Sequence, residues 1–387
     1  MNIVSVEFIS FALCTVLIYY LIPKKFRWCV LIVANTLFYI YGGAEMIIYI
    51  VLASAVAYVI GRVMERYFKK QKQECEDLDR KAKKPIKQKY NKIRRRILVL
   101  GIVIILGGLV VTKYSGFLAE NINSLLGLTG LGSIDYKNIG EFFPAVLGCS
   151  YFTLSIIAYM TDVYRGKFDA EKNFLKLYVF ISFFPHIIQG PIERYDYLAP
   201  QLFKENKFKF ENIKTGAMLI LWGVFKKIVL ADRIAAVSNY GFENYESFDA
   251  VSIIFILAVF SVQIYADWTA YCDIVGGVAE MMGIKITSNF ERPYFSKSMP
   301  EFWRRWHISM SKFFKDYVLY PISASNFCLK LNKNSRKIFG NAAGRVISSA
   351  LPILTVWFLT GLWHGASWNY ILWGLYFALL LLIEKKV

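Results

Sequence analysis

Residues 358–382 read FLTGLWHGASWNYILWGLYFALLLL, and two apolar runs meet there at a single histidine, His364. The run on each side is free of charged residues and close to the length of a membrane-crossing helix. A hydrocarbon core of about 30 Å needs roughly 20 apolar residues in a helix. The stretch therefore predicts helices that lie in a bilayer, with one titratable side chain at their junction.

Similar charge-free runs recur along the 387-residue chain, in which 56% of residues are hydrophobic. They cover residues 8–23, 28–44, 46–61, 97–112, 142–161, 177–192, 251–266, 346–363 and 365–383. Several runs are nearer 16 residues than 20, so we expect some helices to be tilted or shielded inside the bundle. The pattern predicts an all-α polytopic transmembrane bundle of about ten spans plus re-entrant or amphipathic helices, in one domain over residues 1–387.

Basic residues concentrate between two of these runs. The chain has a formal net charge of +18, and residues 65–96 contain fourteen Lys/Arg against five Asp/Glu, a net charge of +9. Such clustering is typical of a cytoplasmic loop, and three preceding spans would then place the N-terminus outside the cell. We expect a solvated helical hairpin or tether that is attracted to anionic lipid. Nothing in it resembles a nucleic-acid-binding module.

Residues 182–202, SFFPHIIQGPIERYDYLAPQL, interrupt the lipid-like pattern. Pro185 and the Gly190–Pro191 pair should end or kink a helix, because proline lacks the N–H that the helix needs. Irregular backbone at membrane depth is tolerated only where protein or a wet cavity covers it. We therefore expect this segment to line an interior surface, with His186 in a structural role.

Residues 289–322, NFERPYFSKSMPEFWRRWHISMSKFFKDYVLYPI, have a different periodicity. Ser298, followed by Pro300 and Glu301, is typical of a helix start. From there an apolar stripe and a polar stripe alternate at helical spacing. The prediction is one amphipathic helix, interfacial or re-entrant, with His307 on its buried edge.

The chain has three histidines, and each falls in one of these three unusual stretches. A neutral imidazole with a pKa near 6.5 can take a proton from a hydroxyl, as transfer of an acyl group from a thioester to an alcohol requires. His364 is the strongest candidate, because Gly365 leaves room for a substrate and Trp363 can exclude lipid. His307 could orient or assist it, or could be structural.

Other sites are disfavoured by the sequence. It has no G-x-S-x-G elbow, Walker loop, H-E-x-x-H motif or Rossmann fingerprint. The six cysteines form no CxxC pair, so neither a disulfide framework nor a metal site is expected. Asp267 and Asp273 are six residues apart and do not share a helical face; we expect them to join a polar network with Arg304 or Arg305.

Four longer motifs are specific enough to indicate a family. They are AYMTDVYRGK (158–167), FFPHIIQGPIERY (183–195), DWTAYCDIVGGVAEMMGIKITSNFERPYFSKSMPEFWRRWHISMSKFF (267–314) and TGLWHGASWNYILWGL (360–375). In their order and residue sequence they resemble motifs of the membrane-bound O-acyltransferase (MBOAT) superfamily, in particular its bacterial alginate O-acetylation branch. The teichoic-acid D-alanylation branch is less similar in the sequence of these motifs.

The resemblance implies a ring of helices around a tunnel through a thinned membrane. It makes His364 the catalytic residue and His307 the second family histidine. It also implies a cytosolic donor, acetyl-CoA or another acyl thioester or carrier, with no permanently bound cofactor. The acceptor side would involve an extracytoplasmic O-acetyltransferase partner and a polysaccharide, at the cell membrane. Family members continue past the span after WHG, so a truncated C-terminus is expected here.

Two other classes of function remain open from the residues alone. A transporter could use the same polar stretches to line a permeation path, although no internal repeat supports one. The other hypothesis is a noncatalytic scaffold of an exopolysaccharide export complex. Acyl transfer that depends on His364 would separate the enzyme from both.

Overall fold

The computed structural model describes residues 3–130 and 146–385, and within these ranges the chain forms helices and no β-strand. The first four residues of the predicted run 142–161 lie outside the described residues. The helices are α1 (Val6–Leu21), α2 (Arg27–Gly42), α3 (Ala44–Glu74), α4 (Arg80–Leu109), α5 (Ser115–Thr129), α6 (Cys149–Arg165), α7 (Phe174–Ser182), α8 (Tyr195–Leu202), α9 (Phe210–Phe225), α10 (Asp232–Glu243), α11 (Ala250–Met281), α12 (Met299–Arg305), α13 (Ile308–Phe314), α14 (Tyr320–Ser323), α15 (Asn326–His364) and α16 (Trp368–Glu384). The all-α prediction is confirmed.

Several of these helices are long and apolar enough to cross a membrane. Four segments meet that description: Met46–Glu74, Arg80–Thr129, Ala250–Met281 and Asn326–His364. The last of them is kinked at Gly340, whose backbone is not helical (φ 77°, ψ 174°). The apolar helices α1 and α16 are shorter, with 16 and 17 residues. The chain is therefore a multi-pass membrane protein with some short helices, as expected, while the count of about ten spans stays a prediction.

Three π-helical turns interrupt longer helical segments. They are Val110–Tyr114 between α4 and α5, Lys226–Ala231 between α9 and α10, and Lys315–Leu319 between α13 and α14. A π-helical turn adds a residue and so changes the direction in which the following side chains point, and such turns are frequent at functional sites. Each of the three carries a lysine.

The described residues form two compact units, of which the first contains residues 1–54 and 171–290. Asn35 of α2 is fully buried there and fixes the end of α7: its amide nitrogen donates to Ser182 Oγ (3.0 Å) and its amide oxygen accepts from the Phe184 N–H (3.0 Å). Helix α7 ends at Ser182, and residues 183–192 are irregular and mostly buried. The predicted break before Gly190–Pro191 is confirmed.

We expect Asn35→Ala to lower the free energy of unfolding by about 3 kcal/mol, because it leaves buried polar groups without partners. Thermal unfolding of the detergent-purified chain measures the change. Leu37→Ala, on the same helix but 50% exposed, is the matched control and should shift the transition little. Equal shifts for the two variants would contradict this role of Asn35.

In the same unit, α9 packs against α11 through glycines, because a Cβ atom on Gly216 would collide with the Gly277 carbonyl. Beyond this crossing, Lys226 Nζ lies 2.7 Å from Asp273 Oδ2 and Lys227 Nζ lies 2.6 Å from Asp267 Oδ1. Neither lysine partner was predicted from the sequence, and the expectation that Arg304 or Arg305 joins this polar network stays a prediction. The π-helical turn Lys226–Ala231 turns both lysines toward α11, so each carboxylate meets its own ammonium group.

The second unit contains residues 55–170 and 291–387. Here the basic segment 65–96 is a helical hairpin, since α3 and α4 continue through it and leave only residues 75–79 as the turn. This confirms the hairpin form of the prediction. In the same unit α15 packs along α16, and Trp303 of α12 joins Trp357 and Phe377 in one aromatic cluster.

The prediction of one continuous amphipathic helix from Ser298 is wrong. Its start is as expected: Ser298 Oγ accepts from the Glu301 N–H (3.2 Å), and the Lys297 N–H that donates to Glu301 holds the pKa of that carboxyl below its usual value. Helix α12 nevertheless ends at Arg305, and His307 takes the left-handed conformation (φ 45°, ψ 54°) before α13 begins. Hydrophobic periodicity does not report such a break, because the apolar stripe resumes after it.

Candidate active site

The site begins at the C-terminal end of α15, where the last carbonyls of a helix have no partner within that helix. Three donors satisfy them. The Gly365 N–H bonds to the Gly361 carbonyl (3.3 Å), the Tyr114 hydroxyl donates to Leu362 O (2.8 Å), and Lys113 Nζ donates to Trp363 O. The π-helical turn Val110–Tyr114 thus supplies two side chains that fix the residues directly before His364.

Aromatic rings surround the imidazole of His364. Its ring centroid lies 5.0 Å from that of Trp363, 5.1 Å from that of Trp373 and 6.4 Å from that of Tyr370, which stacks on it. The side chain is partly exposed, and it makes no hydrogen bond to the residues that the structure describes. An imidazole held by packing alone keeps both nitrogens available for a substrate.

Gly365 does not leave the space that the sequence suggested for a substrate. A Cβ atom built on Gly365 would collide with the ring of Tyr370, so the room belongs to that side chain. The backbone at Gly365 is extended (φ −164°, ψ 151°), so close approach and not backbone conformation requires glycine here. The predicted role of Gly365 is therefore wrong: it lets Tyr370 stack on His364.

His307 contacts the same tryptophan, Trp363. Its ring centroid is 5.7 Å from that of Trp363, and its side chain is fully buried. The positive φ of a non-glycine residue costs of order 1–3 kcal/mol, and such strain persists where the surroundings impose it, frequently at active sites. The ring of His364 lies 5.0 Å from the same indole, so the structure brings the two predicted site residues together.

Lys113 is a site residue that the sequence analysis missed. Besides the Trp363 carbonyl, its ammonium group donates to Ser150 Oγ (3.2 Å) and lies 5.9 Å from the centre of the Trp363 ring. The Trp363 indole in turn donates to Ser150 O (3.2 Å). A signal was present in the sequence: Lys113 is a lone cation directly after the apolar run 97–112, and such residues in spanning helices are commonly functional.

His186 belongs to the first unit, where it is 2% exposed and packs on Phe183 at 5.6 Å between ring centroids. Its Nε2 has no hydrogen-bond partner among the described residues. Burial among aromatic side chains fits the structural role that the sequence predicted. Asp267 and Asp273 are held in ion pairs with lysines and show no arrangement of paired acid and base.

The arrangement in the second unit suits proton transfer. It offers the imidazole of His364, a second imidazole that contacts the same indole, and an ammonium group that donates to the Trp363 carbonyl. Among the described residues no group of three His, Cys, Asp or Glu side chains has the geometry of a metal site. The catalytic roles of His364 and His307 stay predictions at this point.

Comparison with known proteins provides evidence that does not depend on the structure. Residues 164–334, which include His307 and end before His364, match the MBOAT, membrane-bound O-acyltransferase family. A probable alginate O-acetylase of Pseudomonas syringae pv. tomato is 30% identical over 370 residues, covering 96% of this chain and 63% of that protein.

Two further relatives carry other names. A peptidoglycan O-acetyltransferase of Helicobacter pylori is 29% identical over 76% of this chain and 56% of its own length. A teichoic acid D-alanyltransferase of Bacillus subtilis is 30% identical over 61% of this chain and 58% of its own length. The chain thus spans less than two thirds of the length of these relatives. Residues 164–334 therefore carry a segment of the MBOAT family, and the chain as a whole is similar to the acyltransferases named above.

Proposed function

We propose that this protein is an O-acyltransferase in which His364 is the general base. The imidazole takes the proton of an acceptor hydroxyl, the oxygen attacks the thioester carbonyl, the C–S bond breaks, and the imidazolium returns the proton to the departing thiolate. His307 assists by positioning or by its electrostatic effect on the first ring. A general base of this kind contributes about 10²–10⁴-fold to a rate.

The observation that carries this proposal is the juxtaposition of His364 and His307 on one indole, Trp363, whose backbone carbonyl is bound by Lys113. A scaffold has no need for an imidazole without hydrogen bonds beside a fixed helix end. The strained backbone of His307 supports the same conclusion, because strain of this kind is retained where geometry matters.

The substrates follow from chemistry and from the relatives' names. We propose acetyl as the acyl group, a cytosolic thioester such as acetyl-CoA or an acyl carrier as the donor, and an extracellular or cell-wall polysaccharide as the final acceptor. An extracytoplasmic O-acetyltransferase partner would receive the group. The protein would lie in the cell membrane with its N-terminus outside and the basic hairpin 65–96 in the cytoplasm.

Labelled donors test this proposal. Membrane vesicles that contain the full chain are given acetyl-labelled coenzyme A or D-alanyl-labelled carrier, and label in the polymer and in proteins is counted. The proposal predicts transfer from the acetyl donor that vesicles without the chain do not show. Transfer from the D-alanyl donor alone, or export of polymer without any label, would contradict it.

We expect Gly365→Ala to lower acyl transfer about tenfold or more, because the new methyl group displaces Tyr370 from its position on His364. Tyr370→Ala removes the same ring from His364 and should lower the rate to a similar extent. Ala366→Ser adds one atom at the neighbouring position and is the matched control. Full activity of the Tyr370→Ala variant would argue against this packing role.

A further inference from the structure

The basic hairpin contains a cavity that the catalytic site does not use. It has a volume of about 570 Å³ and lies between α3, α4 and the end of α6, all in the second unit. That volume falls within the range of about 300–1,000 Å³ typical of small-molecule sites. Five of its lining residues are cations, and none is a carboxylate: Lys72, Lys83, Lys87, Arg94 and Arg165.

Several acidic residues close to this cavity already bind other side chains. Glu65 binds Arg62 and Lys69, Glu74 accepts from the Tyr90 hydroxyl, and Asp162 lies 3.9 Å from Arg165 and 3.5 Å from Lys167. The other hairpin acids, Glu76, Asp77 and Asp79, are exposed in the turn. Among the five cations that line the cavity, only Arg165 forms an ion pair with one of these carboxylates. The cavity therefore keeps a positive electrostatic field that suits an anion.

Arg94 forms the floor of the cavity and is 3% exposed. Its guanidinium lies 4.4 Å from the centre of the Phe68 ring and 5.3 Å from that of Tyr164, and donates to Tyr164 O. Its Nε has no partner among the described residues, and neither has Oε1 of the buried Gln71. Buried polar groups are rarely left unsatisfied, so two such atoms in one cavity point to a missing ligand.

A second cavity, of about 720 Å³, adjoins the first through Lys83, Lys87 and Asn91. It adds Arg80, Lys81 and Lys84 to the positive surface, again without a carboxylate. Together they form one trough with cations spaced along it and an aromatic ring at its inner end. A compact single anion would not use this length, whereas a ligand with several separated phosphate groups would.

We propose that this trough binds the phosphate groups of the acyl donor as a coenzyme A thioester carries them, a 3′-phosphate and a 5′-diphosphate on one adenosine. This rests on the proposed function, which requires an acyl thioester. Lysines bind phosphates as point charges, and the guanidinium of Arg94 offers directed donors.

Coenzyme A without an acyl group is the probe, because its binding is measured without turnover. The full chain is placed in phosphatidylcholine nanodiscs, and Kd is measured by calorimetry. We expect Lys83→Ala/Lys87→Ala to raise Kd about tenfold or more. The matched control, Lys92→Ala/Arg95→Ala, removes the same charge from exposed positions of α4 that line neither cavity, and should leave Kd close to that of the parent.

Three results would overturn the proposal: a parent protein that binds no coenzyme A, equal Kd values for the two double variants, or binding that disappears when the nanodiscs contain phosphatidylglycerol. The last result would assign the trough to lipid headgroups. His364→Ala should bind coenzyme A as the parent does. Loss of acyl transfer and loss of donor binding therefore report separately on the proposed function and on this site.

Discussion

His364→Ala is expected to lower acyl transfer about 10²–10⁴-fold, because it removes the imidazole that we propose takes the acceptor's proton. The loss should appear in kcat, and KM for the donor should change little. The imidazole makes no hydrogen bond to the described residues, so its removal should not disturb the residues that hold the donor. Initial rates of label transfer in proteoliposomes, normalised to folded protein, measure it.

The control for this variant must separate chemistry from folding. His364 is partly exposed and held by ring contacts alone, so the substitution should shift thermal unfolding only slightly. His307→Ala is the informative comparison: that ring is fully buried, so we expect both a lower rate and lower stability. A His364→Ala protein that is inactive because it no longer folds would leave the rate loss without catalytic meaning.

The second large effect is expected at Lys113. Lys113→Met keeps the aliphatic stem but removes the ammonium group that donates to Trp363 O and Ser150 Oγ. Hydrogen bonds from charged groups contribute about 1.5–3 kcal/mol each, so we expect kcat to fall at least tenfold as the end of α15 loses its anchor. Lys113 is a positioning residue on this account, and the KM for the donor should not change.

Ser150→Ala provides the graded control, because it removes one of the two acceptors and leaves the Trp363 carbonyl bond in place. We expect a smaller loss than in Lys113→Met. Lys113→Arg keeps the charge and should recover part of the rate. Equal rates for Lys113→Met and the parent, with His364→Ala inactive, would show that the anchor has no part in the reaction.

Much of the fold follows from local sequence. Charge-free runs, a Ser–x–Pro–Glu helix start at Ser298 and the break before Gly190–Pro191 each reflect a local rule, and each was found where expected. The break at His307 did not follow, because a left-handed residue inside an amphipathic pattern leaves the spacing of apolar residues unchanged on both sides. The partners of Asp267 and Asp273 were missed because a π-helical turn, invisible to periodicity, redirects Lys226 and Lys227.

The site could be predicted only in part for a related reason. His364 and His307 are rare residues in unusual stretches, so composition alone drew attention to them. Lys113, Ser150 and Tyr370 join the site through contacts between residues far apart in the chain, which no spacing rule encodes. Gly365 was correctly predicted to matter for the site, but its predicted role was wrong, because the side chain that fills the space beside it belongs to Tyr370, five positions later.

Chemical rescue examines the role of the imidazole most directly. Single-turnover transfer of labelled acetyl groups is followed in proteoliposomes containing His364→Ala, with increasing imidazole in the buffer. The account predicts a rate that is very low without imidazole and rises with the concentration of its neutral form. A His364→Ala protein that transfers label at the parent's rate in buffer without imidazole would contradict it.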